Sequence, residues 1–432
     1  MKKRDRSTGC CLKRKTETMN DFCVFLPVDY EGPPGRWRFL TEALASRLEG
    51  MSKVLCVNRP VCPVVTSIRH RDKLLRWLSE LGGRSGHVQQ ITDNLFVFTP
   101  FILLHDQLAA RFSLLVRLNR ALLGWQLIRT LTRLAFRRSQ LTTVISTPYQ
   151  KDYIGIIGET FLIYDCYDEY LAPTNFRNSA LLRQLEEKDR EILRKADIVF
   201  GASEPIVEKR RKFNKNVYFI PNAVDYNHFS NAFDEKTPIP DDITHIPHPI
   251  IGFVGNMNQS IDFNLLTFLA HQRPEWSLVL IGSLNSCERG FMRSKELREA
   301  RSFKNIYFIG GRPFEQIPGY LKAFDICLIP YKDTEFNRSR SPVKLYEYMA
   351  SGKPIVSIPV CQCQEFEEAI EIAKDHKSFL EAIERLLAKD HKTTQNNLMI
   401  AKENSWDSRA ETVLSLIGDR LQASHREHGR GR

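Results

Sequence analysis

The stretch SRSPVKLYEYMASGKPIV, Ser339 to Val356, groups side chains whose types and spacing could bind an anion. Ser341 is a good N-cap and Pro342 suits a first helical position, so the pattern predicts a helix over 342–350. The first-turn amides and positive dipole end of such a helix make an anion site. Arg340 beside the cap and Lys344 in the first turn add formal charge. That combination suits a phosphate or diphosphate better than a neutral group. Glu347 stands three residues past Lys344, on a neighbouring part of the helix face. A carboxylate there can accept two hydroxyl hydrogens, as from a ribose. Gly352 should end the helix. The plain alternative is an ordinary cap with an i,i+3 Lys–Glu pair.

The elements that must position these residues follow from patterning. A chain of 432 residues exceeds one ordinary core, so two domains are expected. Strand-like runs occur at 22–27, 53–58, 94–100, 142–147, 161–168, 196–203 and 216–222, with helical stretches such as 181–196 among them. Residues 230–249, rich in Pro and without periodicity, read as a linker. The alternation restarts with strands at 250–256, 277–283, 305–311, 325–330 and 354–359. Helical patterns lie at 261–272, 288–301, 314–323, 342–350 and 377–389. Alternating strands and helices predict α/β domains with parallel sheets. Ligands bind such sheets at the carboxyl ends of the strands, and a cleft between two such domains is the expected site.

The formal net charge is +11, yet residues 1–140 hold 24 Lys and Arg against 11 Asp and Glu. A basic first half suggests a polyanion or an anionic membrane near it. Residues 107–139 carry seven Arg and no Lys, Asp or Glu, with Leu, Phe, Val and Trp between them. Such a basic amphipathic stretch reads as a membrane-interface element, the alternative being a pair of packed helices with solvated Arg. No segment has 18 consecutive apolar residues, so no transmembrane helix is expected. The basic tail 1–20 lacks the apolar core of a secretory signal. Ten scattered Cys without zinc spacing indicate a reduced, cytoplasmic protein without structural metal. No nucleic acid is expected as a partner, since neither an RNA-binding aromatic motif nor a helix-turn-helix signature occurs.

SPVKLYEYMASGKPIV strongly resembles the nucleotide-sugar-binding signature of GT-B glycosyltransferases, in particular the family-4-like group. IGFVGNMNQSIDFNLL (251–266), YDCYDEY (164–170), the run 196–225 and the run 306–331 agree in order and spacing. The resemblance implies a GT-B α/β fold. In it, two facing Rossmann-like doubly wound domains (21–229 for the acceptor, 250–400 for the nucleotide sugar) flank the linker 230–249. A helix at 401–420 crosses back to the first domain, and 421–432 is a tail. It implies a metal-independent hexosyltransferase-like enzyme with a nucleotide-diphosphate sugar as donor and no cofactor. Glu347 would hold the donor ribose, and Lys344, Arg340, Ser341 and Pro342 the diphosphate turn. Gly255 would be the glycine turn facing the phosphates. Gly311 and Arg312 would border the base, chiefly through backbone.

Two positions depart from that family. Ser339 stands where a Glu often precedes the ribose-binding Glu by eight residues. The turn GNMNQSID lacks the Arg and Lys often found there, so Arg338, Arg340 and Lys344 would supply the charge that meets the leaving diphosphate. If the reaction inverts, a carboxylate must deprotonate the acceptor hydroxyl. YDCYDEY offers Asp165 and Asp168 at a strand end. Asp168 is preferred, with Asp165 read as structural and Glu204 as a weaker candidate. If the reaction retains, the diphosphate serves as base and Asp168 positions the acceptor. The alternative for Asp168 is a turn residue. Gly32, Gly35 and Arg38 follow the first strand, either as acceptor-side contacts or as a structural loop. The expected function is sugar transfer to a hydroxyl acceptor. That acceptor would be a lipid-linked or polysaccharide precursor of a cell-surface glycan, at the cytoplasmic membrane face. The alternative is a catalytically silent nucleotide-sugar-binding or scaffold subunit.

Overall fold

A computed structural model describes residues 19–62, 88–103, 113–169, 171, 179–284, 289–388 and 394–429. They divide into two units: unit 1 draws on Met1–Gly201, Ile206–Ile220 and Arg409–Arg432, and unit 2 on Ala202–Pro205 and Pro221–Ser408.

Unit 1 is built on β1 (Asp21–Phe25), β2 (Val54–Val57), β3 (Val88–Gln90), β4 (Leu95–Phe98), β5 (Leu141–Ile145), β6 (Phe161–Cys166), β7 (Ile198–Gly201) and β8 (Val217–Phe219). Their order across the sheet is β3-β4-β2-β1-β5-β6-β7-β8. All pairs are parallel except β3 with β4. The central strands are buried on both faces, as a parallel sheet covered by helices requires. Those helices include α1 (Arg36–Arg47), α2 (Ser113–Arg133), α3 (Ser179–Lys195) and α4 (Glu204–Arg211).

Unit 2 repeats the plan with β9 (Ile250–Val254), β10 (Ser277–Ile281), β11 (Ile306–Gly310), β12 (Ile326–Ile329), β13 (Ile355–Ser357) and β14 (Glu371–Ile372). The order is β11-β10-β9-β12-β13-β14, parallel throughout. Its helices include α5 (Phe263–Gln272), α6 (Val343–Ala350) and α7 (His376–Ala388). Leu345, Tyr346, Tyr348 and Met349 bury one face of α6 in the core. Each such side chain contributes roughly 1.5–3 kcal/mol.

All the strand-like runs of the sequence became strands. The short β3 and β14 were not foreseen, because two or three residues carry no measurable alternation. Residues 230–249, expected as a linker, are folded into unit 2. Asp241–Thr244 forms a helical turn, and Ile243 and Ile246 join the core. Of the basic stretch 107–139, the described helix covers Ser113–Arg133, while 104–112 lie outside the described residues. The chain leaves that helix at Ala135, whose φ is +53°. The helix expected at 401–420 runs from Trp406 to Gly429, and from Arg409 it belongs to unit 1. The tail 1–20 lies outside the described residues up to Thr18.

Candidate functional site

The anion-binding helix forms, but one position later than expected. Pro342 is the N-cap of α6 and no side chain caps it. Ser341 is used differently. Its hydroxyl accepts the Asn222 backbone N–H (3.1 Å) and its carbonyl accepts the Asn222 side chain (2.6 Å). The physical reason is competition. Two bonds from Asn222 hold Ser341 outside the helix, and Pro342 is in extended backbone, so the helix starts after the proline. Leu345 N–H donates to the Pro342 carbonyl (3.1 Å), and the N–H groups of Val343 and Lys344 before it have no i−4 acceptor within the helix, so the dipole end suits an anion. At the other end, Gly352 (φ +62°) and Lys353 donate to the carbonyls of Met349 and Tyr348. That is the helix stop expected of Gly352.

Gly255 directly follows β9, with a φ of +151° that only glycine adopts without strain. A Cβ placed there would lie 2.1 Å from Lys344 Cε and 2.5 Å from its Nζ. The Lys344 side chain therefore lies directly against the glycine turn, with its ammonium 5.8 Å from the centre of the Phe253 ring. The Gly255 N–H donates to Ile281 O (2.7 Å), and Gly282 N–H donates to Gly310 O (2.8 Å). Three adjacent strands thus end at glycines, of which Gly255 and Gly282 pack too closely to admit a Cβ. Tyr348, buried on α6, accepts the Val254 N–H through its hydroxyl (2.9 Å) and ties the helix to the end of β9.

Glu347 shares the α6 face of Lys344 and is half-buried. Burial pushes its carboxyl above the usual range, and Lys344 opposes that shift. Arg340 stacks on Tyr331 (5.2 Å) and Phe336 (5.4 Å). Arg338 is drawn away by Asp333, with Nε–Oδ1 at 2.5 Å and Nη2–Oδ2 at 2.6 Å. It is therefore a weaker source of charge than Lys344. Ser339 donates its hydroxyl to Glu335 O (2.9 Å). A cavity of about 500 Å³ in unit 2 is lined by Asp333, Glu335, Arg338, Ser339, Gln364 and Lys374. Gly311 packs against Ser283, whose Oγ would be 2.6 Å from a Cβ at that position. The Arg312 guanidinium is bound by Asp242 (2.5 Å) and the Tyr320 hydroxyl (2.8 Å). A further bond from Arg312 Nη1 to Gly311 O (3.0 Å) completes the fixing of this side chain.

In unit 1, β6 stops at Cys166, and Asp168 follows it in a bend, half-buried. Asp168 Oδ1 accepts the Glu169 N–H at 2.9 Å. Asp165 is bound by Arg36 at 2.8–3.2 Å, with both side chains almost fully buried, in keeping with a structural role. Gly35 is the N-cap of α1, in extended backbone. Arg38 pairs with Glu42 (2.9 Å) and stacks on Tyr30 (4.9 Å), whose hydroxyl donates to Glu42 at 2.5 Å. These partners make the Arg38 side chain part of a local network. Glu204 opens α4 in its first turn. Sequence reasoning missed Asn222, Gly282 and Tyr348. Only Gly282 carried a signal: the strand-then-glycine pattern recurs in FVG, LIG and FIGG.

Residues 248–389 match the family model for glycosyl transferases group 1. The chain is 24% identical over 271 residues to the putative teichuronic acid biosynthesis glycosyltransferase TuaH of Bacillus subtilis (strain 168). That match spans 60% of this chain and 66% of the relative, just under two thirds of its length. Sucrose-phosphate synthase from Thermosynechococcus elongatus superposes with a TM-score of 0.64 at 16% identity, covering 94% of this chain and all of that one. Anabaena Alr3699/HepE, solved in complex with UDP and glucose, gives 0.61 at 14% identity over 92% of this chain and 99% of that one. The fold is that of the GT-B glycosyltransferases. The stretch matching the group 1 glycosyl transferase model falls within its second unit.

Proposed function

We propose that the protein is a glycosyltransferase that moves a sugar from a nucleotide-diphosphate sugar to a hydroxyl acceptor. The observation that carries this reading is Lys344 lying on the Gly255 turn at the N-terminal end of α6, with Glu347 one turn along. The Lys344 ammonium and the α6 amides stabilise charge on the leaving diphosphate as the glycosidic bond breaks. Glu347 accepts from the ribose hydroxyls. Backbone of Gly311 and Arg312 borders the base. The likeness to a protein solved with UDP favours uridine. Charge neutralisation by lysine and helix amides needs no metal ion. In an inverting reaction Asp168 takes the acceptor proton; in a retaining one it orients the acceptor and the diphosphate takes the proton. One observation favours a second reading, a silent donor-binding subunit. Ser339 spends its hydroxyl on Glu335 O and brings no carboxylate to its position.

Glu347→Ala tests the donor site. It should weaken binding of UDP-glucose by roughly 1–3 kcal/mol, the scale of charge-assisted hydrogen bonds. Titration calorimetry reads the change, and unchanged affinity would remove Glu347 from the site. Because folding raises the Glu347 pKa, the folded state holds that proton more tightly than the unfolded chain. The resulting stability is complete below the unfolded pKa and is lost as pH rises through the folded one. Glu347→Gln should therefore raise the melting temperature at neutral pH while still weakening the donor.

The acceptor is read as a lipid-linked or polysaccharide precursor of a surface glycan, in line with the teichuronic acid relative. Among the described residues no helix is long and apolar enough to cross a membrane. The outer face of α2 suits its surface instead. Leu114, Trp125 and Leu118 are 66%, 56% and 44% exposed, at helical spacing with the exposed Arg117, Arg129 and Arg133. Arg129 stacks on Trp125 at 5.6 Å. Each basic residue contributes roughly 1 kcal/mol at an anionic surface, and salt weakens it. Arg120 donates to Ile154 O (2.9 Å) and is left out of the test. Replacing Arg117, Arg129 and Arg133 by Glu should release the protein from anionic vesicles in low-salt co-sedimentation and spare UDP binding. Wild-type protein that stays in the supernatant would make a soluble acceptor the better reading.

A further inference from the structure

We propose that Arg210 is a positioning residue, which fixes the Tyr167–Glu169 turn from one face of β6 while Arg36 fixes it from the other, and so sets the place of Asp168. The proposal rests on the reading of Asp168 as the acceptor-side carboxylate. Strand alternation puts Tyr164 and Cys166 on one face of β6 and Asp165 on the opposite one. On the Asp165 face, Arg36 of α1 grips the carboxylate with both Nε and Nη2. On the other face, Arg210 of α4 donates from Nη2 to Glu169 Oε1 at 3.2 Å. Its Nε stands 3.8 Å from Asp189 Oδ2 of α3. Asp189 in turn accepts the Tyr164 hydroxyl at 2.7 Å. Lys209 reaches Glu169 Oε2 at 3.5 Å from the more exposed side.

Arg36, Asp165, Glu169, Asp189 and Arg210 are all buried around this one strand end. Buried ion pairs are a poor source of stability, because well-packed apolar side chains often do as well or better. What this set supplies is geometry. Asp165 precedes the turn and Glu169 is its last residue, and each carboxylate is bound by an arginine from a different helix. Between them, Tyr167 N–H donates to Asp165 O (3.1 Å) and Glu169 N–H to Asp168 Oδ1 (2.9 Å). A carboxylate that must meet an acceptor hydroxyl needs placement to within about 0.5 Å, which a turn tethered at both ends provides.

The test compares Arg210→Met and Arg210→Lys with the intact chain by amide hydrogen exchange, and by UDP release from UDP-glucose. In Arg210→Met, exchange at Tyr167–Glu169 should rise roughly tenfold or more with β1 and β2 unchanged, and Arg210→Lys should recover part of the protection. Unchanged exchange at the turn, or protection lost evenly through unit 1, would overturn the proposal. In kinetics, kcat should fall while the KM for UDP-glucose holds. Arg210→Met added to Asp168→Asn should cost no more than Asp168→Asn alone, as for residues that act as a unit. Multiplicative losses would make Arg210 a fold residue acting independently. Full activity of Asp168→Asn by itself would instead refute the reading beneath, whatever the exchange shows.

Discussion

Asp168→Asn should lower turnover by about 10²–10⁴-fold, the usual contribution of a positioned general base. The substitution keeps shape and keeps an oxygen to accept the Glu169 N–H, which Asp168 Oδ1 does at 2.9 Å. What it removes is the capacity to take a proton. UDP affinity should stay within about twofold, since the loss falls on the transition state and not on uniform binding. Lys344 and Glu347, which carry the donor in this account, belong to unit 2, whereas Asp168 belongs to unit 1. The measurement is UDP release at saturating donor, paired with calorimetry. An active Asp168→Asn enzyme would transfer the proton-accepting role to the donor diphosphate, as retention requires.

Lys344→Met should cost about 10²–10³-fold in kcat, the scale of removing one preorganised donor from a developing anion. Methionine keeps an apolar stem to cover the Gly255 turn, so packing on Phe253 survives and charge is lost. Gly255→Ala should reach a similar loss by another route. Its Cβ would stand 2.1 Å from Lys344 Cε, at a φ of +151° that alanine resists. The ammonium must move, and the turn must strain. If the two substitutions act on one interaction, the double variant should be no worse than the worse single one. Steady-state rates of the three variants decide it. Undiminished kcat in Lys344→Met would assign the diphosphate charge elsewhere, with Arg340 the next residue to replace.

The parallel sheets were legible because their central strands are apolar runs bounded by Gly, Pro and Asn, with helical periodicity between them. The α6 site was legible for a related reason: cap, proline, lysine and glutamate are local in sequence, and so is the helix they make. What sequence could not supply was long-range pairing. Ser341 looked like a cap because nothing local announced that Asn222 would take both its hydroxyl and its carbonyl. Arg38 looked available until Glu42 and Tyr30 closed on it. Residues 230–249 looked like a linker because four prolines hide periodicity, although Ile243 and Ile246 reach the core. Arg210 gave no signal at all, since its partners Glu169 and Asp189 arrive from two other elements.

The central claim is that unit 2 binds a nucleotide-diphosphate sugar at the N-terminal end of α6. Thermal unfolding with a panel of UDP-, GDP- and ADP-sugars tests it most directly, because a ligand that binds only the folded chain stabilises it by about 2.7 kcal/mol at a hundred times its Kd. The account predicts a clear rise in melting temperature for at least one nucleotide sugar with the wild-type protein, and a clearly smaller rise with Lys344→Met or Glu347→Ala at the same ligand concentration. A wild-type melting temperature that no nucleotide sugar moves, or a rise that both variants keep in full, would contradict it.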